Sequence, residues 1–255
     1  MIKLQYIKMI KKSKTRIFVN EKLSSSKIIH IKGKQHHFLK NVLRIKIDEI
    51  ITIFDNSTGE WLSNVMIVNR DSTVLQIYKK NKDIKNEPDI WLFFAPIKQQ
   101  RLNITIQKAT ELGVSKLIPC VTNYTNNYSL NYRNLELNII EAAEQSERLT
   151  LPSLENQISF DDFIKNHPKD RALVFCNEHI ESNESMFSSI MAERSKYNKW
   201  TLLIGPEGGF SQDECDRIVK LTNVISVSLG KRILRSDTAT VAALFCLQSI
   251  IDRND

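Results

Sequence analysis

The sequence predicts two domains: a small β-rich domain over residues 1–85, and a larger α/β domain with a parallel sheet over residues 86–255. Short runs of β-branched and aromatic residues fill the first third of the chain, as in a small β-domain. Apolar runs then alternate with segments of helical periodicity, which is typical of a parallel sheet covered by helices. The net charge also changes sign near residue 85.

The β-rich domain is expected to be a small barrel, because several short strands follow one another at close spacing. Turn residues separate the strands, and one helical piece is expected over residues 35–43. The polar stretch 79–88 is interpreted as a linker. The expected strands are residues 16–19, 27–31, 50–54, 61–68 and 73–78.

The α/β domain begins with a continuous apolar run at residues 90–95, as in a strand buried on both faces. Its helices are expected from apolar positions that recur every three to four residues. Glu144 and Arg148 are expected to pair on one helix surface. The expected strands are residues 90–95, 116–121, 172–176, 200–204 and 224–228, and the expected helices are residues 99–112, 135–148, 184–196, 212–221 and 237–251.

Charge is distributed unevenly along the chain. Residues 1–85 contain 18 Lys and Arg against 7 Asp and Glu, whereas residues 86–255 contain 18 against 22. A basic module beside a mildly acidic one indicates nucleic-acid binding next to a separate chemical site. The alternative is drift in a chain rich in Lys, Asn and Ile, but the sharp change of sign favours nucleic acid.

Composition argues against several classes of protein. The four cysteines are far apart and the five histidines show no ligand spacing, so we expect reduced thiols and no metal. The longest apolar stretch without charge, residues 238–251, is too short to span a bilayer. We therefore expect a cytoplasmic protein that does not enter a membrane.

Four of the seven glycines fall between Gly205 and Gly230, in two loops that each follow an apolar run and precede a helical one. Glycine lets a ligand approach the backbone, and such loops form ligand sites at the carboxyl end of a sheet. We expect Gly205 and Gly230 to serve the ligand and not the fold. Residues 211–214 form a capping box, Ser211 with Glu214, so a helix begins directly after the first loop. Neither loop matches a dinucleotide fingerprint or a phosphate-binding P-loop.

The second loop combines Gly230 with three cations, Lys231, Arg232 and Arg235. The apolar pair at residues 233 and 234 predicts that this loop folds inward, and Ser236 is expected to cap the final helix. Guanidinium groups above an apolar floor suit a ligand that carries a nucleoside.

The segments 203–210, 229–239, 106–114, 143–148 and 41–44 together resemble the RsmE family, the bacterial 16S rRNA (uracil-N3) methyltransferases of the SPOUT class. The resemblance runs from about Arg16 to the C-terminus, and the two glycine loops are its specific part. It implies a PUA-like RNA-binding barrel, a trefoil-knotted α/β domain, S-adenosyl-L-methionine as cofactor and a homodimer that acts on the small ribosomal subunit. Residues 1–15 precede it and are interpreted as a disordered basic arm.

The resemblance also assigns residues to roles. Arg235 and Arg232 face the substrate, and Arg44 and Lys40 contact RNA. Where the family has Thr-Glu this chain has Ser236-Asp237, and its shorter carboxylate reaches less far. The residues implied for the cofactor are Ile204, Gly205, Gly209, Leu229, Gly230, Ile233 and Leu234.

The implied reaction requires uridine N3 to lose its proton, and a cation beside the uracil oxygens would stabilise the anion. Arg235 is the first candidate for that cation and Arg232 the second. The base is Glu207, Asp237 or bulk hydroxide, and the residues do not decide between them. Two other functions stay open: a ribose 2′-O-methyltransferase of the same superfamily, and a non-catalytic RNA-binding or ribosome-assembly protein.

Overall fold

The computed structural model describes residues 12–85, 87–126, 129–177 and 185–251. The chain forms two compact units, divided after Lys85. Residues 1–11 of the expected arm, and the first residue of the helix expected over 184–196, lie outside the described residues. The last residues of the expected arm are ordered, because Lys14 N donates to Ile50 O at 3.0 Å and Thr52 N donates to Thr15 O at 3.0 Å.

The first unit contains one five-stranded sheet in the order β1-β3-β4-β5-β2. β1 pairs with β3 in parallel and every other pair is antiparallel. Apolar residues that alternate along these strands form one buried core. The strands are β1 Arg16–Phe18, β2 Ile28–Lys32, β3 Ile50–Asp55, β4 Gly59–Val68 and β5 Ser72–Lys82.

The linker expected over 79–88 begins later than the sequence indicated. β5 continues to Lys82 because the ten-residue β4 pairs with it along its whole length. Lys80 and Lys82 lie opposite Trp61 and Glu60 in this ladder, with their own side chains exposed. The polar composition of residues 78–82 therefore concealed the solvent-exposed end of this strand.

The helical piece of the first unit is helix α1, Gly33–His37, which continues directly into a π-helical turn, Phe38–Val42. Leu39 anchors it in the core with no exposed surface. His36 is buried, and its ring nitrogens lie 2.9 Å from Thr73 Oγ1 and 3.2 Å from Arg70 O. These contacts fix the helical segment against β5 and leave its basic residues outside.

The second unit contains a parallel sheet in the order β12-β10-β11-β6-β7-β8, with β9 also paired to β7. Its two faces pack against two separate apolar cores, since successive residues of each strand point to opposite sides. The strands are β6 Asp89–Phe94, β7 Lys116–Val121, β8 Ser153–Leu154, β9 Ile158–Ser159, β10 Ala172–Cys176, β11 Lys199–Ile204 and β12 Val224–Val227.

Helices cover both faces of this sheet. Apolar residues of α2, α3, α5 and α7 belong to one core, and those of α4 and α6 to the other. A short 3₁₀-helix, Arg194–Lys196, follows α5. The helices are α2 Gln99–Glu111, α3 Tyr132–Gln145, α4 Phe160–Asn166, α5 Met186–Glu193, α6 Gln212–Ile218 and α7 Ser236–Ile251.

Several features of this unit differ from expectation. The strands β8 and β9 were not predicted, because two residues cannot establish an alternating pattern, and α6 ends at Ile218 and not at residue 221. Helix α4 was not predicted, because seven residues are too few to establish a helical period. The structure also gives Arg148 a different position, since α3 ends at Gln145 and the positive φ of Glu147, 59°, turns the chain away from the helix. Arg148 there donates to Glu87 Oε2 at 2.6 and 2.9 Å and to the carbonyl of Thr110 at 2.9 Å.

Candidate active site

The two glycine loops meet at the carboxyl edge of the sheet. β10 lies between β11 and β12, and all three strands run in the same direction. The first loop follows Ile204 at the end of β11, and the second follows Val227 at the end of β12. Cys176 ends the strand between them, so three successive strand ends open into one region, as expected for a ligand site of a parallel sheet.

The first loop, residues 205–210, is fixed by the helix that follows it. The predicted capping box is confirmed: Ser211 Oγ accepts from Glu214 N, and Glu214 Oε2 accepts from Ser211 N at 2.9 Å. Gly209 has a φ of +68° and donates its N–H to Pro206 O at 3.0 Å. The loop is therefore a tight turn that leads directly into the first turn of α6.

Gly205 has a structural role that the sequence did not reveal. A Cβ added there would lie only 2.8 Å from Cε2 of Phe210, whose ring is buried in the apolar core. The Phe210 ring occupies the space a side chain would need, so Gly205 also serves the fold, and the expectation is wrong where it excluded that role; the role of Gly205 toward the ligand stays a prediction. Gly230 differs, because its φ of +106° requires glycine although the space around it is open.

The second loop is joined to the first by Ser236. Its hydroxyl donates to Gly205 O at 2.9 Å, and the residue itself is the first of helix α7. The prediction that Ser236 caps this helix is therefore wrong, because the hydroxyl group is used to connect the two loops. Gly230 N donates to Ser228 Oγ at 3.3 Å, which closes the beginning of the second loop.

A cavity of about 790 Å³, including the space that opens to solvent, lies between the loops. The predicted site residues Glu207 and Arg232 line this cavity. Cys176 and Asn177, at the end of β10, line it too, although the sequence analysis had not assigned them to the site. All seven residues implied for the cofactor line it: Ile204, Gly205, Gly209, Leu229, Gly230, Ile233 and Leu234.

The second loop does not fold inward as a whole. Ile233 is 82% exposed, whereas Leu234 is half-buried. Lys231, Arg232 and Arg235 are all exposed, and hydration of three cations in one short loop keeps it at the surface. Among the described residues, the cavity lining includes Arg232 and does not include Arg235.

Glu207 is paired with a residue that the sequence reasoning missed. Arg101, in the first turn of α2, places Nη1 3.3 Å from Glu207 Oε1. The topology could have indicated this contact, because β6 and β11 are parallel neighbours. Helix α2 follows β6 and the first glycine loop follows β11, so both begin at the same edge of the sheet. Asp237 accepts from Thr238 N at 3.0 Å and is not one of the described lining residues.

Cys176 is the thiol at this cavity. Burial, reinforced by the charge of Cys246, raises the pKa of Cys176 to about 12. A raised pKa favours the protonated thiol at neutral pH, which is a poor nucleophile. Across the described part of the chain, no three His, Cys, Asp or Glu side chains are arranged to hold a metal ion.

The RNA-contact residues expected in the first unit lie on the helical segment and directly after it. Lys40 Nζ donates to Asn69 O at 2.8 Å and to Arg70 O at 3.3 Å, so it also holds the turn between β4 and β5. Arg44 is exposed and has a φ of 50°. Within the described residues, no helix combines the length and apolar character that crossing a membrane requires.

Two family models match the chain, one on each unit. The RNA methyltransferase PUA domain matches residues 31–77, and the RNA methyltransferase domain matches residues 85–248. The second match covers most of the chain, including both glycine loops.

Three relatives that match over nearly the whole chain share one name. Ribosomal RNA small subunit methyltransferase E of Rickettsia conorii is 34% identical over 230 residues, which cover 90% of this chain and 93% of that protein. The protein of the same name from Bacillus subtilis is 27% identical, over 88% of this chain and 91% of that protein. A crystal structure of the Neisseria gonorrhoeae protein of this name, bound to S-adenosyl methionine, is 25% identical, with a TM-score of 0.81 and coverage of 92% and 97%. The chain belongs to the RsmE family of ribosomal RNA methyltransferases.

Proposed function

We propose that this protein transfers a methyl group from S-adenosyl-L-methionine to N3 of a uridine in 16S rRNA of the small ribosomal subunit. The observation that carries the proposal is the cavity between the two glycine loops, which all seven residues implied for the cofactor line. The cofactor in the Neisseria gonorrhoeae relative supports the same assignment.

The residues of the cavity suit such a ligand. Gly205, Gly209 and Gly230 leave backbone groups accessible, and Ile204 with Leu229 provides apolar surface for a planar base. Bound there, S-adenosyl-L-methionine supplies a methyl group on a positively charged sulfur. The protein must hold uridine N3 in line with that group, and positioning contributes much of the rate.

The residues that face the substrate must assist the loss of the proton from uridine N3. A guanidinium near the uracil oxygens stabilises the resulting anion. Arg235 is the first candidate, and Arg232, which lines the cavity, is the second. Glu207 is less available as the base than the sequence suggested, because Arg101 is paired with it. Asp237 and bulk hydroxide remain the other candidates.

The first unit binds the RNA through Arg44, Lys40 and the excess of basic residues in 1–85. A homodimer with composite active sites belongs to this proposal, and so does the trefoil knot. In a dimer, the exposed Arg235 and Ile233 would be available to a second copy. A location in the cytoplasm belongs to the proposal as well, because the proposed substrate is ribosomal RNA.

The test is mass spectrometry of nucleosides from 16S rRNA of cells with and without this gene. The proposal expects 3-methyluridine in the first sample and its loss from the second. Loss of a 2′-O-methylated nucleoside instead would identify a ribose methyltransferase. Unchanged rRNA, together with no binding of S-adenosylmethionine by the purified protein, would support a non-catalytic RNA-binding protein.

A further inference from the structure

The loop that follows β7 is fastened to the first glycine loop and its helix. Asn123 N donates to Glu214 Oε1 at 2.8 Å, and Asn123 Nδ2 donates to Ser211 Oγ at 2.8 Å. Glu214 is 1% exposed and uses its other carboxylate oxygen for the capping box. A charge-assisted hydrogen bond to a buried carboxylate therefore fixes this loop relative to the candidate site.

The same loop is closed internally as a tight turn. Thr125 N donates to Thr122 O at 3.0 Å, and Thr125 Oγ1 accepts from Thr122 N at 2.9 Å. The residue at the centre of this turn is Tyr124, which is 52% exposed. Within the described residues, its hydroxyl group makes no hydrogen bond.

Tyr124 lies against the tip of the glycine loop. A Cβ added to Gly208 would be 3.2 Å from Tyr124 Cβ and 3.6 and 3.7 Å from ring atoms Cγ and Cδ2. The neighbours of Gly208 on both sides, Glu207 and Gly209, line the cavity. The exposed ring of Tyr124 thus lies beside Gly208, whose two neighbours in the chain line the cavity.

We propose that Tyr124 is the platform on which an unpaired base of the RNA substrate stacks as its neighbouring uridine enters the cavity. This inference rests on the proposed function. Unpaired RNA bases stack on aromatic side chains, and a nucleotide that is modified must leave its own stack. A ring held by a rigid turn loses little conformational entropy on binding, which favours this use of a half-exposed Tyr. Arg101, which contacts the same tip through Glu207, adds a cation suited to the adjoining phosphate.

The test compares Tyr124→Leu, which keeps an apolar side chain without the ring, with Tyr124→Phe, which keeps the ring without the hydroxyl group. We expect Tyr124→Leu to weaken binding of a 16S rRNA fragment about 5- to 150-fold, with most of the kinetic effect in KM, since one stacked base contributes that much. Tyr124→Phe should bind RNA like the wild type. Phe187→Leu, which removes a 37% exposed ring from α5, is the matched control and should not change RNA binding.

Equilibrium binding of S-adenosylmethionine separates stacking from a structural role, because a ring that only supports Gly208 would affect the cofactor loop. Stacking predicts unchanged cofactor affinity in both variants. Three results would overturn the proposal: wild-type RNA affinity in Tyr124→Leu, equal losses of RNA and cofactor affinity, or equal losses in the Phe and Leu variants. If the wild type transfers no methyl group but its RNA binding still requires the ring of Tyr124, the proposed function is wrong and the stacking proposal is supported.

Discussion

Replacing Gly205 by Ala tests whether the first glycine loop is packed as the structure describes. The new Cβ would lie 2.8, 3.1 and 3.3 Å from Cε2, Cδ2 and Cζ of Phe210. That ring is 8% exposed and packs edge-on against Phe175, with 5.2 Å between ring centroids. The ring cannot move without disturbing the core, so the substitution overfills a packed region.

Overpacking of this kind destabilises a protein by about 1–3 kcal/mol. For a unit of this size, the melting temperature should fall by about 2–12 °C. The cost is steric, because Gly205 is not among the glycines with positive φ. Cofactor affinity should also fall, since displacement of Phe210 moves part of the cavity lining.

A double-mutant cycle with Phe210→Leu isolates the contact. The leucine lacks the outer ring atoms that the new Cβ would meet, so Gly205→Ala should cost at least about 0.5 kcal/mol less in that background. Gly230→Ala is the control, because its cost comes from a φ of +106° in open space and should be the same in both backgrounds. The reasoning is refuted if urea unfolding gives Gly205→Ala the same cost with and without the Phe210 ring.

The other predictions concern catalysis, RNA binding and pH. Arg235→Lys should lower kcat on the order of 100-fold and leave cofactor affinity unchanged, because an ammonium cannot reproduce the planar guanidinium; a rise in KM alone would assign Arg235 to a phosphate and direct attention to Arg232. If Arg44 contacts one phosphate, Arg44→Ala should reduce the salt slope of RNA binding by about 0.7–0.9, and an unchanged slope would exclude the contact. Burial and the nearby charge of Arg171 lower the pKa of His167 from 6.5 to about 4. The unfolded chain therefore takes up a proton that the folded one does not, and the free energy of unfolding should fall by at most about 3 kcal/mol as the pH drops from 6.5 to 4. His167→Gln should remove that part of the pH dependence of the urea midpoint, and an unaltered dependence would contradict the assignment.

The positions of most elements follow from the sequence because they depend on local patterns. Alternating strands and helices predict a parallel sheet, and parallel strands bring their carboxyl ends to one edge. That rule places the loops after Ile204 and Val227 at the same edge of the sheet, but it does not give the strand order that puts β10 between them. The capping box of Ser211 was equally readable, since both of its hydrogen bonds join residues three positions apart.

What the sequence could not predict depends on how side chains are oriented in the folded chain, whether their partners are near or distant in sequence. Position 205 must be glycine because the ring of Phe210, which the core holds in place, fills the space of a side chain. The hydroxyl group of Ser236 donates a hydrogen bond to Gly205 O in the other loop. Arg148 contacts Glu87, more than sixty residues earlier. Ile233 is exposed although an apolar pair suggested burial, because its cationic neighbours remain in solvent.

Methyl transfer by the purified protein tests the central claim most directly. The protein would be incubated with S-adenosylmethionine labelled in its methyl group and with 16S rRNA or small subunits from cells that lack the gene, and the labelled nucleoside identified by mass spectrometry. The account predicts a single labelled product, 3-methyluridine, with the label on the base. Label on a ribose 2′-oxygen, or no transfer by a protein that binds both the cofactor and the RNA, would contradict it.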